Sequence, residues 1–183
     1  MYRLHRGILS GPKDVAAPLV WSPTDHSQFI TISSANSVAT RNSTAGGATA
    51  LARSDTSQSS GVRYVEFTIL QIGNGAGVSM EVGCCNGSVG LNTYPGSSNN
   101  GVSYRPGGTV VKNAANALTG QPAYTTGDVI GMVVDLDLHT VKFNKNGGAY
   151  TSTVDITSLG ADVFAAVSLG DGATFASVSI FSR

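Results

Sequence analysis

A chain of 183 residues is long enough for one domain with a substantial core, and a 41% hydrophobic content excludes a disordered polypeptide. Only 12% of residues are charged and 23 are Gly, a profile for many short strands joined by turns and against long solvent-exposed helices. The formal net charge of zero leaves no overall basic field for nucleic acid or an anionic membrane, and low net charge is best tolerated by a protein held in an assembly.

Residues 1–20 stand outside the strand pattern. Met1 to Arg6 is basic but runs into Gly7, Ser10, Gly11 and Pro12 without an apolar core, so it does not read as a signal peptide. No segment has the length and apolarity of a membrane span. Tyr2, Leu4, Ile8 and Leu9 add apolar content, and Arg3, His5 and Arg6 add positive charge. Two readings fit: a strand or arm along the domain's own surface, or an arm docked on a neighbouring subunit through Tyr2, Arg3, Leu4 and Arg6.

The domain proper is placed at residues 21–183. Trp21 precedes Ser22-Pro23, and its place at a strand start makes it a core anchor rather than a sugar-stacking platform. Phe29 to Ser33 and Val38 to Thr40 read as short strands; Asn42 to Ala48 is a Gly/Ser/Thr loop, Ala50 to Arg53 a segment of brief pairing, and Ser54 to Ser60 a polar connection. Val65, Phe67 and Ile69 share the buried face of the next strand, with Tyr64, Glu66 and Thr68 opposite. Gly73 to Gly77 lacks the Lys-Ser/Thr of a phosphate loop and reads as a turn before a strand from Val78 to Cys85. On that strand Cys84 should face inward with Met80 and Val82, and Cys85 outward. Two adjacent free thiols imply no disulfide framework.

From Asn86 to Gly108 almost every residue is a turn former, and long excursions of this kind are commonly functional. This one carries Tyr94, Tyr104 and Arg105, an aromatic-plus-Arg mixture enriched at binding hot spots. A short strand at Val110 and Val111 leads into a second loop, Lys112 to Tyr124, with Asn113, Asn116 and Tyr124. The loop candidates for ligand or partner binding are therefore Tyr94, Tyr104, Arg105, Asn113, Asn116 and Tyr124.

Gly127 to Tyr150 organises the rest. Val129 to Leu136 is nearly continuously apolar, as in the middle of a packed sheet; Asp137 to Thr140 reverses the chain; Val141 and Phe143 then alternate with Lys142 and Asn144. Asn146-Gly147 tolerates positive φ at both turn positions, so another hairpin follows. Thr151 to Leu159 holds a strand or helical turn, and Val163 to Leu169 and Phe175 to Phe181 close the domain around Gly170-Asp171-Gly172.

Chemistry finds little support. The only glutamates are Glu66 and Glu81, both inside strands. Asp135 and Asp137 read as turn-forming carboxylates rather than an acid/base or calcium pair. His5, His26 and His139 are scattered, and no cysteine–histidine spacing suits zinc. No catalytic residue, metal or cofactor is expected.

The segment GDVIGMVVDLD, a short turn and TVKFNKNG resemble the signature of SPRY domains, which are concanavalin-like β-sandwiches. Gly61 to Ile69, Met80 to Gly83, Val102 to Tyr104, Phe164 to Leu169 and Val178 to Phe181 resemble further family strands in the same order. Leu138-His139 departs from the family's usual Asn-Gly, which implies a looser first turn. The resemblance implies an all-β, antiparallel two-sheet jelly-roll sandwich acting as a recognition scaffold through loops at one end. The part from Trp21 to the run before Gly61 looks more like phage and bacterial members. That implies a non-enzymatic virion protein of tail, fibre or capsid surface, made in the host cytoplasm and homo-oligomeric in its assembly. Its partners would be other virion subunits, a host-surface receptor or a glycan, with no nucleic acid and no membrane insertion. A soluble peptide-binding adaptor and a carbohydrate-binding module are the alternatives.

Overall fold

In the computed structural model, which describes residues 18–43, 49–73, 80–170 and 175–182, the alternating segments pair into two facing antiparallel sheets. In chain order the strands are β1 (Trp21–His26), β2 (Ile30–Ser33), β3 (Val38–Arg41), β4 (Ala50–Ser54), β5 (Val62–Gln71), β6 (Met80–Cys85), β7 (Gly101–Arg105), β8 (Thr109–Lys112), β9 (Ala115–Leu118), β10 (Val129–Asp135), β11 (Thr140–Lys145), β12 (Val154–Asp155), β13 (Phe164–Leu169) and β14 (Ser177–Ser182). The front sheet runs β1-β4-β13-β6-β7-β8-β9 and the back sheet β12-β11-β10-β5-β14-β3-β2. The expected all-β antiparallel sandwich is what the chain forms.

The period of two in the sequence decides which side chains meet between the sheets. On β5, Val65, Phe67 and Ile69 are buried while Val62 and Leu70 are exposed. Its neighbour β10 sends Ile130, Met132 and Val134 into the same core, and the apolar run of β10 suits its place between β5 and β11. Trp21 is fully buried, its ring centroid 6.2 Å from that of Phe67, so it is the expected core anchor. Each large side chain removed from water in this way contributes about 1.5–3 kcal/mol.

Turns follow the chemistry expected of them. Asn146 and Gly147 both take positive φ, at 51° and 70°. The β10–β11 reversal is longer than a two-residue turn, because Asp135 pairs with Thr140 and His139 takes φ 51°. Asp135 Oδ1 accepts the N–H groups of Asp137 and Leu138, and Asp137 Oδ1 that of Gly61, so both carboxylates organise backbone. Residues 151–159 hold both of the anticipated elements, β12 and a 3-10 turn at Thr157–Leu159.

The arm residues Tyr2, Arg3, Leu4 and Arg6, and most of the Gly73–Gly77 turn, lie outside the described residues. Leu19, only 4% exposed, already belongs to the core, and its N–H donates to Ser182 Oγ. The packed domain thus includes residues just before Trp21.

Cys84 packs in the main core as anticipated, and Cys85 points to the opposite face of β6. That face is not solvent. Cys85 joins Leu51, Val89, Ala166 and the half-buried Leu91 in a second, smaller core outside the front sheet. The roof of this core is the excursion that the sequence marks as turn-rich, now confined to residues 86–100 because β7 begins at Gly101. Burial raises both thiol pKa values, that of Cys85 to about 11 despite the nearby Arg53 guanidinium.

Candidate functional site

The excursion is held down by groups from several strands. Arg53, 3% exposed on β4, reaches Asp25 Oδ1 at 2.6 Å and donates to the carbonyls of Gly87 and Val89. Leu51 N–H donates to Leu91 O at 2.9 Å, continuing the seam. Further along, a 3-10 turn at Pro95–Ser97 lies flat on β6, β7 and β8. Its approach requires glycine on both sides. A Cβ on Gly96 would stand 2.4 Å from Val111 O, and one on Gly101 would stand 2.2 Å from Pro95 O.

The β8–β9 hairpin docks against the same excursion. Asn113 and Ala114 form its tip with φ of 53° and 57°. Asn113 N–H donates to Ser98 O at 3.1 Å and Ala114 N–H to Gly96 O at 2.8 Å. The sequence reading treats residues 112–124 as one loop, but Ala115–Leu118 is the edge strand β9, with Asn116 exposed on it opposite Val111. Four residues, two of them Ala, after a tight turn carry too little alternation to reveal a strand of this length.

Two candidates leave the site. Tyr104 is fully buried and Tyr124 is 4% exposed; their rings meet edge-on at 5.4 Å, and Tyr104 is also 5.4 Å from Phe143. The alternation on β7 turns Tyr104 inward with Val102, and Tyr104 Oη donates to Pro122 O. Tyr124 Oη donates to Tyr104 O at 2.8 Å. Both phenols are satisfied core groups, with pKa values raised by burial, that of Tyr104 to about 12. They clamp the segment after β9 to the sandwich rather than face a ligand.

Tyr94 and Arg105 come together. The next residue after Tyr104, Arg105 projects to the outer face, and its guanidinium carbon lies 5.1 Å from the Tyr94 ring centroid. Beneath them is Glu81, a residue that sequence reasoning considered only as a failed catalyst. Its neighbour Val82 pairs with Tyr104, which places Glu81 beside Arg105. Glu81 is 2% exposed; Arg105 Nε donates to one carboxylate oxygen at 3.1 Å, and Ser103 Oγ donates to the other. Burial raises the Glu81 pKa, opposed by the Ser103 hydrogen bond and the Arg105 charge. Glu81, Gly83 and Cys85 share one face of β6, and nothing in that local pattern tells whether the face is covered.

Among the described residues no three His, Cys, Asp or Glu side chains gather as a metal site, and no helix is long and apolar enough to cross a membrane. What the outer face offers is an arginine over an aromatic ring at one end of the β7–β8 pair, and the exposed Asn113 and Asn116 toward the other. Such a surface suits recognition.

The two-sheet sandwich with its loop-covered margin matches a known family. The SPRY domain family model matches residues 62–179, and the chain belongs to the SPRY family. SPRY domains serve as protein–protein interaction modules and are generally non-catalytic. No curated protein matches the sequence. Among solved structures, the SPRY domain of human HERC1 is similar at TM-score 0.75 and 21% identity, covering 89% of this chain and 98% of that one. A human SPRY domain matches at TM-score 0.65 and 17% identity, over 84% of this chain and 95% of that one. The TRIM65 PSpry domain matches at TM-score 0.65 and 13% identity, over 90% and 92%. At these identities the likeness is one of fold. The phage and bacterial subtype expected from the N-terminal half finds no support in these matches.

Proposed function

We propose that this chain is a non-catalytic protein-binding module that receives its partner on the outer rim of the front sheet. The contact residues are Tyr94, Arg105, Asn113 and Asn116. The observation that carries the reading is the Arg105 guanidinium, braced from below by Glu81 and from the side by Tyr94 at a half-buried position. Aromatic and Arg side chains of this kind dominate binding energy at interfaces. Placement in a phage particle rests on the N-terminal resemblance and the neutral composition alone, so the module is put forward here without a particle or a compartment.

The test is selection of binders from a yeast-displayed random peptide library. Tyr94→Ala and Asn116→Ala should each weaken the recovered binders about tenfold or more while leaving the fold intact by circular dichroism. Binders unaffected by these changes but lost in Leu70→Ser, on the back sheet, would overturn the assignment of the face.

A further inference from the structure

We infer that the partner of this rim presents a carboxylate to Arg105, an inference that rests on the reading above and narrows it to acidic peptide segments. A guanidinium has five N–H donors in a planar fork. Here Nε is spent on Glu81 Oε1 at 3.1 Å, and the guanidinium carbon lies over the Tyr94 ring, 5.1 Å from its centroid. Nη1 and Nη2 have no hydrogen-bond partner among the described residues, and the side chain is 26% exposed. The fork is therefore fixed at its base and open at its tip.

Two parallel donors held in this way match the two oxygens of a carboxylate. Because Glu81 and Tyr94 already restrict the side chain, less conformational entropy is lost when a ligand arrives. The surroundings favour a carboxylate over a phosphate group. Lys112, on the neighbouring strand β8, pairs with the core-facing Val102 rather than with Arg105, and donates to the Asp155 carbonyl and carboxylate at 2.7 and 3.4 Å. A single arginine with Glu81 behind it suits a monoanion, whereas a dianion would call for a cluster of cations. The exposed amides of Asn113 and Asn116 can hydrogen-bond the flanking main chain of an extended segment.

The carboxylate can come from an Asp or Glu side chain or from a peptide's C-terminus, and the experiment separates them. The same displayed library is selected against the full chain, and each recovered peptide is resynthesised in three forms: as selected, with each acidic side chain replaced by its amide, and with an amidated C-terminus. Affinity should fall about tenfold or more for one of the two amide forms and not the other. The same peptide should lose its preference for acid over amide against Arg105→Gln, and keep part of it against Arg105→Lys, which retains charge without the fork. Because the decisive swap is made on the peptide, the result does not depend on a variant folding. Peptides that bind in a Tyr94-dependent way with equal affinity in all three forms would overturn the carboxylate and leave the proposed function standing. Selection that yields no peptide dependent on Tyr94 or Asn116 would overturn both.

Discussion

The outer faces of the two sheets are opposites built on the same strand period. On the back sheet, β5 and β14 show Val62, Leu70 and Phe181 to solvent, and the outward Tyr64 passes over Gly131 toward Asn144. On the front sheet, every residue of β4 and β6 is buried, because residues 86–100 lie across them. The back sheet leaves Val62, Leu70 and Phe181 in solvent, whereas β4 and β6 of the front sheet are covered on both faces, and Glu81 pairs with Arg105 at that covered margin. The difference teaches how a covering segment lets a sheet margin hold a buried carboxylate: Glu81 lies under residues 86–100, and Arg105 pairs with it there.

The largest effect should come from releasing that roof. Arg53→Met leaves Asp25 and the carbonyls of Gly87 and Val89 without their donor, and should cost about 3 kcal/mol in urea unfolding. A loss under about 1 kcal/mol would mean that the excursion is held by its apolar contacts alone. The next test sets one glycine on each sheet against the other. Gly96→Ala drives a methyl into the Val111 carbonyl and must lift the excursion, at about 2–3 kcal/mol. Gly131→Ala meets only the side-chain ends of Asn144 and Tyr64, at 2.6 and 2.7 Å, and should cost nearer 1 kcal/mol. Reversal of that order would break the comparison. The smallest effect is kinetic. Both thiols should resist a maleimide in the native state, but Cys85 lies under the single covering segment 86–100, whereas Cys84 lies between the sheets. An opening about 1.4 kcal/mol easier would label Cys85 about tenfold faster, and equal rates would show that the roof and the sandwich open together.

Much of the fold was legible because period-two alternation and Asn-Gly chemistry are local properties of the chain. Trp21, the β5 faces, the β10–β11 meander and the inward turn of Cys84 all followed from them. Of the six loop candidates, the sequence made the surface placement legible for four. Tyr94, Arg105, Asn113 and Asn116 reach the rim, but Tyr104 and Tyr124 do not, because an aromatic in a glycine-rich stretch looks like a loop residue until its strand is seen. Ser103-Tyr104-Arg105 alternates out, in, out, and that parity depends on where β7 begins. Glu81 was missed for the complementary reason. Its partner Arg105 is distant in sequence, and nothing local to either residue announces that a third segment will cover one of them.

The hydrogen bond from Leu19 to Ser182 Oγ joins positions separated by 163 in the sequence. The sandwich is thus nearly a closed ring of chain, with its first core residue and its last strand side by side. A permuted protein, with those positions bridged by a few glycines and new termini opened in an exposed turn such as Gly147-Gly148, would keep every strand pairing described here. The same juncture gives the domain the geometry of an insert, which can be spliced into a host polypeptide at a single point without prising that host apart.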